Sequence, residues 1–282
     1  MSARHLFLRY PNWKDKAFTL SYDDCVRHDV RFIEIMKQHG LKGTFNINSG
    51  LYGEKDGDWR LPHDKVLSLY NQEGIEVAVH GVNHLLLEAY PIEQVVNDII
   101  NDRKALEKDF GRIIKGMAYA FGSYNDQIVE MLKTCGISYA RTTESTEKFE
   151  IPNDWLRLPA TCHHNNPRLM ELAKQFAEAV PAEKWWDRRP QLFYLWGHSY
   201  EFELNDNWHV FEEFAAYMGG RNDIWYATNG EIYEYVKAFE SLQYSADGTL
   251  VYNPSAIDVY LENQYGKHVV FAGQTANIAE KI

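Results

Sequence analysis

A chain of 282 residues, 45% hydrophobic and 24% charged, has the balance of a globular protein with a sizeable buried core. The formal net charge of −11 repels phosphate backbones and anionic lipid, which argues against nucleic-acid and membrane partners. Cys25, Cys135 and Cys162 show no CxxC spacing, and neither a signal-peptide core nor ~18 uninterrupted apolar residues occur, so the expected location is cytoplasmic.

Strand-like and helix-like segments alternate along most of the chain. Ala17–Tyr22 is a short apolar run that breaks at Asp23-Asp24. A helical segment follows, with Phe32, Ile33 and Met36 on one face and Gly40 as its stop. Gly43–Asn48 reads as a strand. A helix opened by Pro62 carries Val66, Leu67 and Tyr70 and ends at Gly74, and Glu76–Val79 is the next strand. Pro91 starts the clearest helix, in which Ile92, Val95, Val96, Ile99, Ile100, Leu106 and Phe110 recur at helical spacing. Strands over Lys115–Ala120 and Ile137–Arg141 flank a helix over Asn125–Cys135. A helix over Pro167–Ala179 precedes strands at Leu192–Trp196 and Ile224–Ala227, and Thr228 with Glu231 predicts a capping box.

This βα alternation implies parallel strands with helical crossovers, as a barrel or an open sheet. After about Leu242 only short β-prone pieces remain. The chain therefore divides into an α/β domain over 1–241 and a β extension over 242–282 packed against it.

In parallel α/β folds, functional groups sit just past the C-terminal ends of strands. Asp23 and Asp24 follow the first strand and His80 and His84 the third; Gly122-Ser123 and His198 follow later ones. The i, i+4 spacing of His80 and His84 puts both rings on one side of a helical turn, ~6 Å apart at Cβ, which suits two ligands of one ion. The sequence His80-Gly81-Val82-Asn83-His84 lacks the Glu of HExxH, so it does not support a thermolysin-like protease. Adjacent carboxylates raise each other's pKa unless a cation offsets them. One of the two acids can then bind metal while the other handles protons. The plainer readings are a helix cap for the acids and a surface pair for the histidines; the combination of both features favours the metal.

Phe18-Thr19-Leu20-Ser21-Tyr22-Asp23-Asp24 resembles the first motif, TFDD, of the NodB-type polysaccharide deacetylases (carbohydrate esterase family 4). Gly43-Thr44-Phe45-Asn46 resembles the strand that follows it, and His80 to His84 the second motif, HxxxH. The match runs over roughly Ala17–Tyr90, with weaker likeness to about Val236. It implies a distorted (β/α) barrel, Asp23 as catalytic base, and Asp24, His80 and His84 as metal ligands. Zinc is the default ion, with Co, Ni, Mn or Fe also suited to two imidazoles and one carboxylate. The family's third motif carries an Arg that Ala118-Tyr119-Ala120-Phe121-Gly122 lacks. The Phe121 N–H can still serve an oxyanion, and Arg141, in preference to Arg157, can supply the cation beside Asp23. Asn153-Asp154-Trp155 resembles the fourth motif and Tyr194-Leu195-Trp196-Gly197-His198 the fifth, which implies His198 as general acid with Asp154 orienting it.

The implied reaction is deacetylation of an N-acetylated saccharide. The alternatives are a cyclic amide or ureide hydrolase of allantoinase type and a non-catalytic carbohydrate-binding relative. A non-haem iron oxygenase shares the donor set, but the order of motifs argues against it. His163 and His164 lie in a polar stretch and can face substrate or solvent.

Overall fold

The structure, a computed structural model, describes residues 5–53 and 59–280. Its elements run β1 (Leu8–Arg9), β2 (Lys16–Asp23), α1 (Asp29–Gln38), β3 (Gly43–Ile47), α2 (His63–Tyr70), β4 (Ile75–Val79), α3 (Ile92–Phe110), β5 (Gly116–Ala118) and α4 (Asp126–Thr134). Then come β6 (Tyr139–Ser145), β7 (Leu158–Ala160), β8 (Cys162–His163), α5 (Leu169–Ala177), β9 (Gln191–Gly197), α6 (Tyr200–Leu204), α7 (Trp208–Met218), β10 (Ile224–Tyr226) and α8 (Asn229–Glu240). Five short strands finish the chain: β11 (Gln243–Tyr244), β12 (Leu250–Tyr252), β13 (Val259–Asn263), β14 (Gly266–Val270) and β15 (Thr275–Asn277).

The large sheet is parallel throughout, in the order β7-β6-β5-β4-β3-β2-β9-β8, with β10 alongside the start of β2. Strands β7 and β8 are one extended stretch interrupted at Thr161, whose N–H goes to Tyr194 O at 2.8 Å. This stretch pairs with β6 at one end and β9 at the other, and so closes the ring. The result is the distorted (β/α) barrel that the resemblance implies, and not the open sheet that βα alternation alone also allows.

Alternation along β2 shows how the barrel serves a site. Phe18, Leu20 and Tyr22 join Phe32, Phe45, Phe193 and Phe211 in the core beneath the helices. Thr19, Ser21 and Asp23, equally buried, point to the other face. There Asn46 Nδ2 donates to Ser21 Oγ at 3.0 Å and to Asp23 Oδ1 at 2.8 Å. Thr19 Oγ1 donates to Asn229 Oδ1 at 2.9 Å, and Asn229 Nδ2 to Tyr194 OH at 2.7 Å. The barrel interior is thus a hydrogen-bonded polar column that leads up to Asp23.

The local signals are largely realised. Gly40 follows α1 with φ +65°, and Thr228 and Glu231 form the capping box of α8. Pro62 is the N-cap of α2, which stops at Tyr70 and not at Gly74. Helices α6 and α7 were not delimited from the sequence, although Asn205–Asn207 has the composition of a turn and helix cap, and Asn207 does stand at the N-cap of α7. The C-terminal strands form two antiparallel three-stranded sheets, and one of these takes its edge from β1, at the other end of the chain. No described helix is long and apolar enough to cross a membrane.

Asp29, fully buried in the first turn of α1, ties three elements together. It accepts hydrogen bonds from Tyr70 OH at 2.5 Å, Ser199 Oγ at 2.6 Å and Val26 N at 3.1 Å. Burial pushes its carboxyl up from 3.8 to about 7, against the lowering pull of Ser199, Tyr70 and Val26. A carboxyl raised on folding costs nothing below its unfolded pKa, and the cost develops as pH rises from about 4 to about 7. Asp29→Asn should therefore gain stability relative to the native protein across that window, by on the order of 2–4 kcal/mol at pH 8 compared with pH 4. Denaturant unfolding of both proteins at the two pH values checks this; an unchanged difference would refute it.

Candidate metal centre

Five strands deliver the site. Asp23 closes β2 and Asp24 follows it. His80 follows β4, the Ala120–Gly122 turn follows β5, Arg141 lies on β6, and His198 follows β9.

Asp24, His80 and His84 each offer one ligand atom, all within 4.8 Å of one another. Asp24 Oδ1 lies 3.4 Å from His84 Nε2 and 3.8 Å from His80 Nε2. His80 Nδ1 meets Ala118 O at 2.9 Å, which leaves the Nε2 lone pair facing the cluster. Both His80 Nε2 and Asp24 Oδ1 are buried without a hydrogen-bond partner. Arg60 Nη1 donates to Asp24 O and stands 3.3 Å from Asp24 Oδ1, but does not satisfy that oxygen. Buried polar atoms left unpaired are costly. A divalent ion bound by one carboxylate and two imidazoles would satisfy both, and the donor set suits zinc. Burial, and next His80, lower the His84 pKa to about 4, which keeps that ring neutral as a ligand must be.

The two histidines do not converge through a helical turn. Residues 80–84 are irregular, and left-handed backbone at Gly81 (φ +81°) and His84 (φ 51°) folds the ring of His84 back to 4.8 Å from that of His80. Asp98 and Asp102, one turn apart on α3, clamp this loop. Asp98 Oδ1 accepts from Asn83 N at 3.0 Å and Asn83 Nδ2 at 2.7 Å; Asp102 accepts from His80 N at 3.0 Å and Ser49 N at 2.7 Å. A Cβ on Gly81 would collide with Asp98 Oδ2. Asp24 (φ 85°), Cys25 (φ 56°) and Phe121 (φ 57°) are also left-handed, so backbone strain concentrates around the cluster.

Asp23, beside the metal cluster, is buried and accepts from Arg141 Nη2 and from Asn46. Burial alone would raise its pKa, but Arg141, with His80 and His198, holds it well below the usual carboxylate range. Arg141 is itself buried, with its guanidinium 4.4 Å from the Trp196 ring centroid. Arg157 instead pairs at the surface with Asp154 and Asp126. Phe121 sits in the tight turn after β5, its ring 4.4 Å from that of His84.

His198 Nε2 lies 3.8 Å from Asp23 Oδ2 and 3.9 Å from Asp24 Oδ2. The partner expected for it is corrected by the structure. Asp154 is exposed and spends its carboxylate on Leu156 N at 3.0 Å and Arg157 Nη1 at 2.8 Å. Glu201, in the first turn of α6, meets His198 Nδ1 at 2.9 Å instead. Burial lowers the His198 pKa, but Glu201, Asp23 and Asp24 outweigh it and raise the value above 6.5.

Residues 11–140 match the sequence profile of the polysaccharide deacetylase family. The likeness to that family covers a little under half of the chain. YxkH of Bacillus subtilis (strain 168), named a "putative polysaccharide deacetylase", is 22% identical over 130 residues, 46% of this chain and 43% of YxkH. The chain thus spans less than half the length of that relative. A Mycobacterium smegmatis structure of the same description shares the fold at 16% identity and a TM-score of 0.58, over 83% of this chain and 94% of that one. A CE4 family pseudoenzyme from Bacillus anthracis does so at 14% identity and a TM-score of 0.50, over 79% and 66%. The deacetylase fold therefore also occurs in a protein described as a pseudoenzyme, and chemistry has to be argued from side chains.

Three residues around this site escaped the sequence reading. Asp98 and Asp102 interrupt the apolar stripe of α3 at i, i+4, a signal available but unused. Glu201 lies only three residues past His198, yet a strand-to-helix turn has to be known before that spacing means contact. In the metal-free protein, NMR titration should find His198 ionising above 6.5; Glu201→Gln should move it down and Asp154→Asn should leave it in place. The reverse pattern would restore Asp154 as the partner.

Proposed function

We propose that the protein is a metal-dependent hydrolase of a non-peptide C–N bond, acting on an N-acetylated saccharide. The orphaned, buried Asp24 Oδ1 and His80 Nε2, converging with His84 Nε2, carry this reading. Asp24, His80 and His84 would hold the ion, which when bound lowers the pKa of a coordinated water and polarises the acyl oxygen.

The remaining work falls to side chains and backbone of the chain itself. Asp23, kept ionised by Arg141, is placed to accept the proton of the attacking water. Trp196 and the strands around Arg141 bury that ion pair, so water does not screen it. The Phe121 N–H serves the developing oxyanion, a donor type contributing ~3 kcal/mol to such transition states. His198 Nε2 lies 3.8 Å from Asp23 Oδ2, and Glu201 at its Nδ1 favours the protonated ring, which gives its Nε2 proton to the departing amine. The match of residues 11–140 to the polysaccharide deacetylase profile supports the saccharide amide as substrate.

Acetate release from short N-acetylated saccharides with zinc present tests the reading. Asp24→Ala should lose bound metal and turnover together. Asp23→Asn should retain metal, measured by elemental analysis, while turnover falls at least ~100-fold. Full turnover in Asp23→Asn would remove Asp23 from the base role. An inert native protein with one tightly bound zinc would instead indicate a binding relative.

A further inference from the structure

Next to the proposed centre lies a second group of donors, to which the reaction assigns no metal. His163, on β8, His198, past β9, and Glu201, on α6, each present one ligand atom within 4.8 Å of the other two. His163 Nε2 is 3.4 Å from Glu201 Oε2, and His198 Nδ1 is 2.9 Å from Glu201 Oε1. Their side chains are about one-fifth exposed, so an ion can reach them from solvent. His164 Nε2, wholly buried, points at the same carboxylate from 2.9 Å without the geometry of a hydrogen bond. Asn165 Nδ2 donates to Glu201 Oε2 at 2.6 Å and braces it. Parallel pairing sets His163 opposite Trp196, so the barrel scaffold and not a surface loop positions that ring.

The imidazole of His198 is common to both groups. Its Nε2 faces Asp23 and Asp24, and its Nδ1 faces Glu201. Two imidazoles and a carboxylate repeat the donor set of the first cluster, a set that suits zinc and neighbouring divalent ions.

We propose that His163, His198 and Glu201 form a second divalent-cation site, filled at higher concentration than the first, and that filling it suppresses turnover. An ion on Nδ1 takes the place of the proton there and breaks the bond to Glu201. The ring is then a neutral, metal-bound imidazole, whose Nε2–H is a far weaker acid than that of an imidazolium. The leaving amine is left without its proton donor. This effect on turnover rests on the role proposed for His198; the site itself does not.

Equilibrium dialysis of the full chain against zinc, with elemental analysis, separates the two. The native protein should bind two zinc ions per chain, the second more weakly, with activity falling as the second is taken up. His163→Ala should weaken the second binding more than ~10-fold and abolish inhibition by excess zinc, while turnover with one equivalent is unchanged. His163→Gln, closer in size, should behave the same way, and circular dichroism verifies that both variants fold. Asp24→Ala should keep the weaker site alone, so the count still decides the matter if the native protein proves inactive. One zinc per chain across the inhibitory range, or undiminished second binding in both His163 variants, would overturn the proposal.

Discussion

Two carboxylates in succession at the end of a buried strand have to be met by positive charge, and the rest of the site is arranged around that requirement. Asp23 receives it from Arg141, four strands away around the barrel, and Asp24 is flanked by Arg60 and two imidazoles. Coulomb attraction in so dry a place is strong, but it offsets the loss of hydration only when geometry is tight. A closed barrel supplies that geometry, because its strand ends are fixed by pairing on both sides. The left-handed residues at Asp24, His84 and Phe121 lie where chain direction must change within one residue to aim a group inward.

Much of the fold was legible because it is written in period and punctuation. The apolar run that became β2, the stripe on α3 and the Thr228–Glu231 box all match their elements. What escaped depended on long-range contact. Residues 80–84 read as a helical turn because spacing alone cannot distinguish i, i+4 on a helix from a loop bent by Gly81. Helices α6 and α7 were missed because the stretch from Tyr200 to Met218 is rich in aromatics on several faces, which blurs a 3.6-residue stripe.

The site shows the same division. Asp23, Asp24, His80 and His198 lie at or just past strand ends, which topology gathers whatever their separation in sequence; Arg141, expected to end its strand, lies within β6, which runs on to Ser145. Asp154 was linked to His198 by motif order, and order says nothing about which of two nearby acids wins a hydrogen bond. Glu201 wins because α6 starts directly after His198 and its first turn brings position i+3 back over the ring.

Arg9 gives the small antiparallel sheet a meaning beyond decoration. It is fully buried, ion-paired to Glu262 at 2.9 Å and Asp15 at 3.0 Å, and its carbonyl accepts from Tyr235 OH at 2.6 Å. The last forty residues are therefore a clasp: they fasten the opening stretch of the polypeptide to the underside of the last helix. Cutting them away would remove Glu262 and leave the Arg9 guanidinium with Asp15 as its one carboxylate partner among the described residues, so the barrel and its tail should be inherited, trimmed or grafted as one piece.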